Sequence, residues 1–279
     1  MTSPEELRAL VEERLAGLAL AEELGRLEEA LRYSLLGGGK RIRPVLCLAT
    51  GEALGRQPEE LLPAACALEL VHTFSLVHDD LPALDDDDLR RGQPSSHVRF
   101  GEGVAILAGD ALLTEAFGLV LSYPTPDPAR ELAAATIGMI GGQYLDVTTD
   151  GDLDSAGLVR LHELKTGRLL AASVTCAAAV AGLTQQEREP WAAFGAELGL
   201  LFQIVDDILD ATGTAEELGK TPGKDEAAGK VTYVSLHGID RARELADAAR
   251  GRVAERLAAL PADTTVLAEL VDAIRDRRA

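Results

Sequence analysis

The sequence predicts an all-helical fold, and three observations carry that prediction. Ala, Leu, Glu and Arg dominate the chain and are strong helix formers. Aromatic residues make up only 4 %, and long runs of alternating β-branched residues are absent, which argues against a large sheet. Apolar residues recur at helical spacing, as at Leu7, Val11, Leu15 and Leu18. The 279 residues are 47 % hydrophobic, ample for a core. No repeat, low-complexity tail or domain linker interrupts them, so residues 1–279 read as a single domain.

Taken in order, Ser3-Pro4-Glu5-Glu6 reads as a helix start with a capping box and proline at the first helical position. A second helix runs through Leu27, Leu31 and Leu35 and stops at Gly37-Gly38-Gly39. Lys40-Arg41-Ile42-Arg43-Pro44 follows, with Pro44 in the first turn of a helix over Val45–Leu54. Three glycines followed by basic residues at a helix entrance can form an anion site; the same residues also read as a basic turn. A long apolar helix is predicted over Pro63–His78, opening at Pro63. Val104–Leu121 and Pro128–Leu145 are nearly uncharged helices, apolar almost all round, which implies burial at a central position or a subunit interface.

Asp150-Gly151-Asp152-Leu153-Asp154 is a turn that caps a helix beginning near Ser155; it lacks the glycine and glutamate of a calcium loop. That helix carries His162, Lys165 and Thr166. Leu169–Leu183 is a buried core helix, too short in apolar residues to span a bilayer. Gln185–Asp210 is a long helix, Thr212–Lys230 a polar lid-like loop, and Leu236–Ala279 two amphipathic helices.

The chemistry concentrates in two acidic clusters. Asp79–Arg91 holds six aspartates and two arginines directly after an apolar helix; Asp206–Asp210 holds three aspartates. Asp206 and Asp210 share a helical face, with Gln203 one turn before them. Carboxylates set among core residues are costly unless paired or metal-bound, and hard oxygen ligands suit Mg²⁺ bridging to phosphate. The clusters are therefore expected to face each other and hold a diphosphate through magnesium. His72 reads equally as a core histidine, Phe74 as core packing and Lys165 as a snorkelling side chain.

The formal net charge of −19 leaves no basic footprint for nucleic acid or an anionic membrane surface. Cys47, Cys66 and Cys176 sit among small or apolar residues, as free thiols in a reducing, cytoplasmic setting do. No signal peptide opens the chain, and no stable membrane insertion is expected.

The motifs GGGKRIRP, ELVHTFSLVHDDLPALDDDDLRRGQPSSH, GGQYLD, KTG, FQIVDDILD and GKTPGKD, in this order, resemble the trans-type isoprenyl diphosphate synthases. The resemblance runs from about Leu36 to Gly238. It implies a helical bundle around a deep central cavity, usually a homodimer joined through Val104–Leu121 and Pro128–Leu145. It further implies about three Mg²⁺ ions per site, bound by Asp79, Asp80 and Asp85 on one side and Asp206, Asp207 and Asp210 on the other. Arg90, Lys165, Thr166, Gln203, Lys220 and Lys230 would surround an allylic diphosphate. Lys40, Arg43, His72 and Arg91 would hold isopentenyl diphosphate. Phe74, with Ser75 beside it, would set product length. An aromatic residue five positions before Asp79, together with the DDxxxxD spacing, resembles farnesyl diphosphate synthases and implies a C15 product; GKTPGKD equally resembles geranylgeranyl synthases and C20. Val234 stands where many members have proline. A class I terpene cyclase or a non-catalytic partner subunit fits the intact DDILD motif less well.

Overall fold

The computed structural model describes residues 2–149, 153–213 and 230–275, and over these the fold is all-α with one two-stranded hairpin. The helices are α1 (Pro4–Ala16), α2 (Glu28–Leu36), α3 (Ile42–Ala53), α4 (Pro58–Asp79), α5 (Ser96–Phe100), α6 (Glu102–Val120), α7 (Asp127–Thr148), α8 (Ser155–His162), α9 (Arg168–Val180), α10 (Gln185–Thr212), α11 (Tyr233–His237), α12 (Ile239–Ala258) and α13 (Thr265–Arg275). A 3₁₀ segment, Glu22–Leu27, leads into α2, and a π-helical turn, Glu163–Gly167, joins α8 to α9.

Helix α9 is the hub. It packs on α3, α4, α7 and α10. From Leu169 to Ala179 all but Ala171 are buried, including Ser173, Thr175 and Cys176. Small residues on nearly every face let four neighbours approach at once. The three cysteines are buried and free, and burial pushes their thiols well above the ordinary range.

The capping boxes lie where local sequence places them: Ser3 with Glu6 at α1, and Thr184 with Glu187 at α10. Helix α4 differs from the sequence reading. It begins at Pro58, behind a Gln57–Glu60 capping box, and runs through Pro63. Proline inside a helix removes an N–H and crowds the preceding turn. Here the hydroxyl of Tyr123 splices the ladder beside it. It accepts from the Ala64 N–H (3.2 Å) and donates to the Glu60 carbonyl (2.8 Å). The helix therefore gains a full turn that the proline seemed to forbid.

Two helices, α4 and α6, are long and apolar enough to cross a membrane by length and composition. The apolar stretch of α4 is 67 % buried inside the bundle and that of α6 only 39 %. The remainder of α6 is an open face. Ile106 and Leu107 on α6 are exposed, as are Ile137, Ile140 and Tyr144 on α7.

Candidate active site

The first aspartate cluster is built at the end of α4. Asp79 is its last residue, and the chain then folds back on itself. The Asp85 N–H bonds the Asp79 carbonyl (2.8 Å), and the Asp87 N–H bonds that of Asp80 (3.1 Å). Four residues between Asp80 and Asp85 are thus looped out, and Asp85 returns beside Asp79. Asp86 takes a left-handed backbone (φ 48°) to close this loop.

A hairpin follows, β1 (Leu89–Arg90) against β2 (Gln93–Pro94), with Leu89 opposite Pro94 and Arg90 opposite Gln93. Its two-residue turn, Arg91-Gly92, has positive φ at both positions (54° and 75°), as the type I′ turn of a right-twisted hairpin requires. The turn separates the two arginines. Arg90 reaches Asp80, with Nε 2.9 Å from Oδ1, and extends to Asp87 (3.2 Å). Arg91 donates to the Gly38 carbonyl in the Gly37–Gly39 loop.

These contacts divide the first cluster. Both oxygens of Asp80 accept from Arg90. Asp80 thereby anchors the hairpin through the Arg90 guanidinium. Asp79 is different: burial, and the nearby carboxylates of Asp85 and Asp80, outweigh Lys165 and Arg90 and raise its carboxyl to about 6.

The π-helical turn carries Lys165 and Thr166, which the sequence placed on an ordinary helix. Such turns insert one extra residue and are common at functional sites. This one is clamped on both sides by glycine. A Cβ on Gly142 of α7 would lie 2.3 Å from the Lys165 nitrogen, and one on Gly199 of α10 would lie 2.7 Å from the Gly167 Cα. Close approach fixes the two adjacent side chains. Lys165 turns to Asp146 of α7 (2.6 Å) and Thr166 to Gln203 of α10 (2.9 Å). Asp146, inside the GGQYLD motif, was not singled out in the sequence. It also takes Lys230 (3.3 Å), whose ammonium reaches Asp85 (3.0 Å). The two lysines outweigh burial and hold the Asp146 carboxyl below its ordinary value.

The second cluster lies within α10. Asp207 is buried, and both its oxygens are used. Oδ1 accepts from Gln203 Nε2 (2.7 Å) and Oδ2 from the Tyr233 N–H (2.8 Å). His162 Nε2 stands 3.7 Å from Oδ2, and its ring stacks on Tyr233 at 5.5 Å. Asp207, like Asp80, is therefore an anchor for a neighbouring stretch of chain. It orients the Gln203 amide so that its oxygen meets Thr166, and it fastens α11. Asp206 and Asp210 lie half-buried on the same helix.

Of the basic residues expected around a second diphosphate, Lys40 is exposed and Arg43 half-buried at the start of α3. Between them Arg41 is buried and structural, bonded to Glu69 (2.6 Å), Glu12 (2.9 Å) and the Leu35 carbonyl (2.7 Å). His72 is held well below its ordinary pKa by desolvation and then by the guanidiniums of Arg43, Arg91, Arg90 and Arg41. Phe74 is buried, edge-on to His78 at 4.9 Å, and Ser75 donates to the His72 carbonyl. Lys220, and the lid assigned to the loop before Lys230, lie outside the described residues, as do Asp150–Asp152.

The donor set fits magnesium. Among the described residues no three His, Cys, Asp or Glu side chains converge into a preassembled metal centre. Instead, Asp79 and Asp85 sit close enough to repel, beside a lysine ammonium that answers their charge. Magnesium takes one or two carboxylates, several waters and substrate phosphates, and such a half-built site suits it.

Known proteins place the chain in a family. A model of the polyprenyl synthetase family matches residues 25–274. The chain is 46 % identical over 269 residues to the heterodimeric geranylgeranyl pyrophosphate synthase large subunit 1 of Arabidopsis thaliana, covering 91 % of this chain and 72 % of that protein. It is 44 % identical over 260 residues to the geranylgeranyl pyrophosphate synthase of Catharanthus roseus, covering 89 % and 72 %. Its fold matches a geranylgeranyl pyrophosphate synthase crystal structure with a TM-score of 0.92, at 27 % identity and with 100 % of both chains covered. It also matches the geranyltransferase of Helicobacter pylori complexed with magnesium and isoprenyl diphosphate (TM-score 0.84, 35 % identity, 97 % and 94 % covered). A family model over most of the chain, relatives above 40 % identity and the matching solved structures agree: the chain belongs to the polyprenyl synthetase family.

Proposed function

We propose that the protein joins isopentenyl diphosphate to an allylic diphosphate and carries the product to C20, geranylgeranyl diphosphate. One observation carries the condensation: adjacent residues of one π-turn link to both aspartate clusters, Lys165 through Asp146 and Lys230 to Asp85, Thr166 through Gln203 to Asp207. The C20 reading rests on the relatives, which are geranylgeranyl diphosphate synthases in two plants at 44–47 % identity. The C15 reading taken from Phe74 gains no comparable support. Phe74 is buried beside His78, so its ring can floor a cavity, and that alone keeps C15 in view.

Asp79 and Asp85, together with Asp206 and Asp210, would hold the metal; Mg²⁺ supplies a Lewis acid that neutralises charge on the leaving diphosphate. Lys165, Lys230 and Arg90 add fixed positive charge where that diphosphate develops its own. The allylic C–O bond breaks and its electron pair leaves with the diphosphate. The double bond of isopentenyl diphosphate, held by Lys40, Arg43 and Arg91, attacks the allylic cation, and a proton passes to the departed diphosphate. The Thr166 hydroxyl and the Gln203 carbonyl, fixed through Asp207, turn oxygen dipoles toward the cation. Incubation with Mg²⁺, labelled isopentenyl diphosphate and dimethylallyl, geranyl or farnesyl diphosphate, followed by product sizing, tests both parts. C20 product is expected; a C15 end point restores the farnesyl reading, and no incorporation removes the synthase reading.

The open apolar face of α6 and α7 supports a second chain as its cover. A second copy is the simplest occupant. A relative that is the large subunit of a heterodimer supports a different partner chain equally. Light scattering of the pure protein separates the two: a homodimer mass supports the first, a monomer the second.

A further inference from the structure

The two arginines of the hairpin are held unequally. Arg90 is fixed by the carboxylates of Asp80 and Asp87. Arg91 forms no ion pair among the described residues. Its guanidinium donates to the Gly38 carbonyl and lies over Gly39, where a Cβ would come within 2.8 Å of Cζ. The bed for Arg91 is thus the glycine loop that ends α2, and it serves only if the hairpin stands at a fixed distance from that helix. One side chain of α2 sets the distance. Tyr33, one turn before Gly37, donates its hydroxyl to the Pro94 carbonyl of β2 (2.6 Å). Strand β2 is in turn paired with β1, Leu89 opposite Pro94. The Tyr33 ring is itself pinned. It stands 5.3 Å from the Phe100 ring, edge to face, and Arg99 Cζ lies 4.7 Å over its centre. Helix α2 and its glycine loop therefore grip the hairpin twice, through a hydroxyl at Pro94 and through a carbonyl at Arg91.

We propose that Tyr33 is a positioning residue for Arg91: its hydroxyl holds the hairpin against α2, so that the guanidinium resting on Gly38 and Gly39 is presented to the diphosphate of isopentenyl diphosphate. This rests on the synthase reading in assigning that diphosphate to Arg91. The unequal hold on the two arginines decides which substrate feels the loss. Without the Tyr33 hydroxyl, Arg90 keeps its two carboxylates. Arg91 has no such second hold.

Steady-state kinetics, with each substrate varied in turn, test this. Tyr33→Phe keeps the ring, its contact with Phe100 and the Arg99 stack, and removes only the hydroxyl. It is expected to raise KM for isopentenyl diphosphate about fivefold, the scale of one lost hydrogen bond, and to leave kcat and the KM for geranyl diphosphate within about twofold of wild type. Arg91→Gln checks the assignment and is expected to raise the same KM about tenfold or more, as loss of a charged donor does. Tyr33→Phe/Arg91→Gln should match Arg91→Gln alone, because a residue that acts through Arg91 then has nothing left to place. An unchanged KM in Tyr33→Phe overturns the proposal. An equal rise in both KM values overturns it too, since Tyr33 is then a general support of the hairpin. Additive losses in the double variant do the same. Should Arg91→Gln leave KM for isopentenyl diphosphate unchanged, the assignment of that diphosphate fails and the proposal falls with it. No incorporation by wild type removes the synthase reading, and the proposal with it.

Discussion

The two aspartate clusters look alike in sequence and are built differently. The first, Asp79–Asp88, leaves the end of α4 and doubles back through a loop that needs a left-handed residue at Asp86. The second sits inside the regular helix α10, where Asp206 and Asp210 share a face by periodicity alone. Yet each gives its second aspartate the same task. Asp80 grips Arg90 and so seats the hairpin; Asp207 grips Gln203 and the Tyr233 N–H and so seats α11. In each doubled aspartate the second carboxylate ties the next stretch of chain to the helix.

The largest effect that would break this comparison is at the facing carboxylates. Asp79→Asn and Asp206→Asn are expected to lower kcat about a thousandfold each, as loss of charge stabilisation at a metal site does. Equal losses in Asp80→Asn and Asp207→Asn would erase the distinction. Asp207→Asn is expected instead to lower kcat about tenfold to a hundredfold with Mn²⁺ affinity unchanged, and to cost about 2 kcal/mol of stability, because an amide cannot accept from both Gln203 and Tyr233. Steady-state kinetics beside calorimetry and melting curves would read these together.

Acidity gives a third test. Asp79 in the folded, metal-free protein is raised to about 6 from an ordinary 3.8. The folded state therefore binds a proton that the unfolded chain does not between those values. The stability this group contributes is full below its ordinary value and is lost as pH rises through about 6. Metal binding must displace that proton, so Mn²⁺ affinity should fall as pH drops below about 6. A flat titration from pH 5 to 7 would show that Asp79 is already ionised. The smallest effect concerns α4 itself. Tyr123→Phe removes the hydroxyl that splices the helix at Pro63 and should cost about 1–2 kcal/mol in a melting experiment, leaving kcat unchanged.

Much of this was legible in the residues. Helical periodicity and the Ser3–Glu6 capping box gave the helices, and two acidic clusters among apolar residues pointed to the candidate site. What escaped depends on contacts between distant segments. Pro63 reads as a helix start until Tyr123 is seen beside it. The π-turn at Glu163–Gly167 has no local signature; it is imposed by Gly142 and Gly199 from either side. The hairpin was missed because two-residue strands carry no periodicity, although Arg91-Gly92 between them is a turn signal. Asp146 was passed over because a single aspartate on an apolar helix gains meaning only when Lys165 and Lys230 converge on it. Arg41 looks like its neighbours Lys40 and Arg43 in sequence, and only the buried Glu69 separates it from them.

The most direct test of the account is pyrophosphate binding by calorimetry, with and without Mg²⁺, in wild type, Asp79→Asn and Asp206→Asn. If both clusters grip one diphosphate through metal, wild type binds it only with Mg²⁺ present, and either substitution alone abolishes binding. Tight binding that ignores Mg²⁺, or that survives both substitutions, would contradict a shared site.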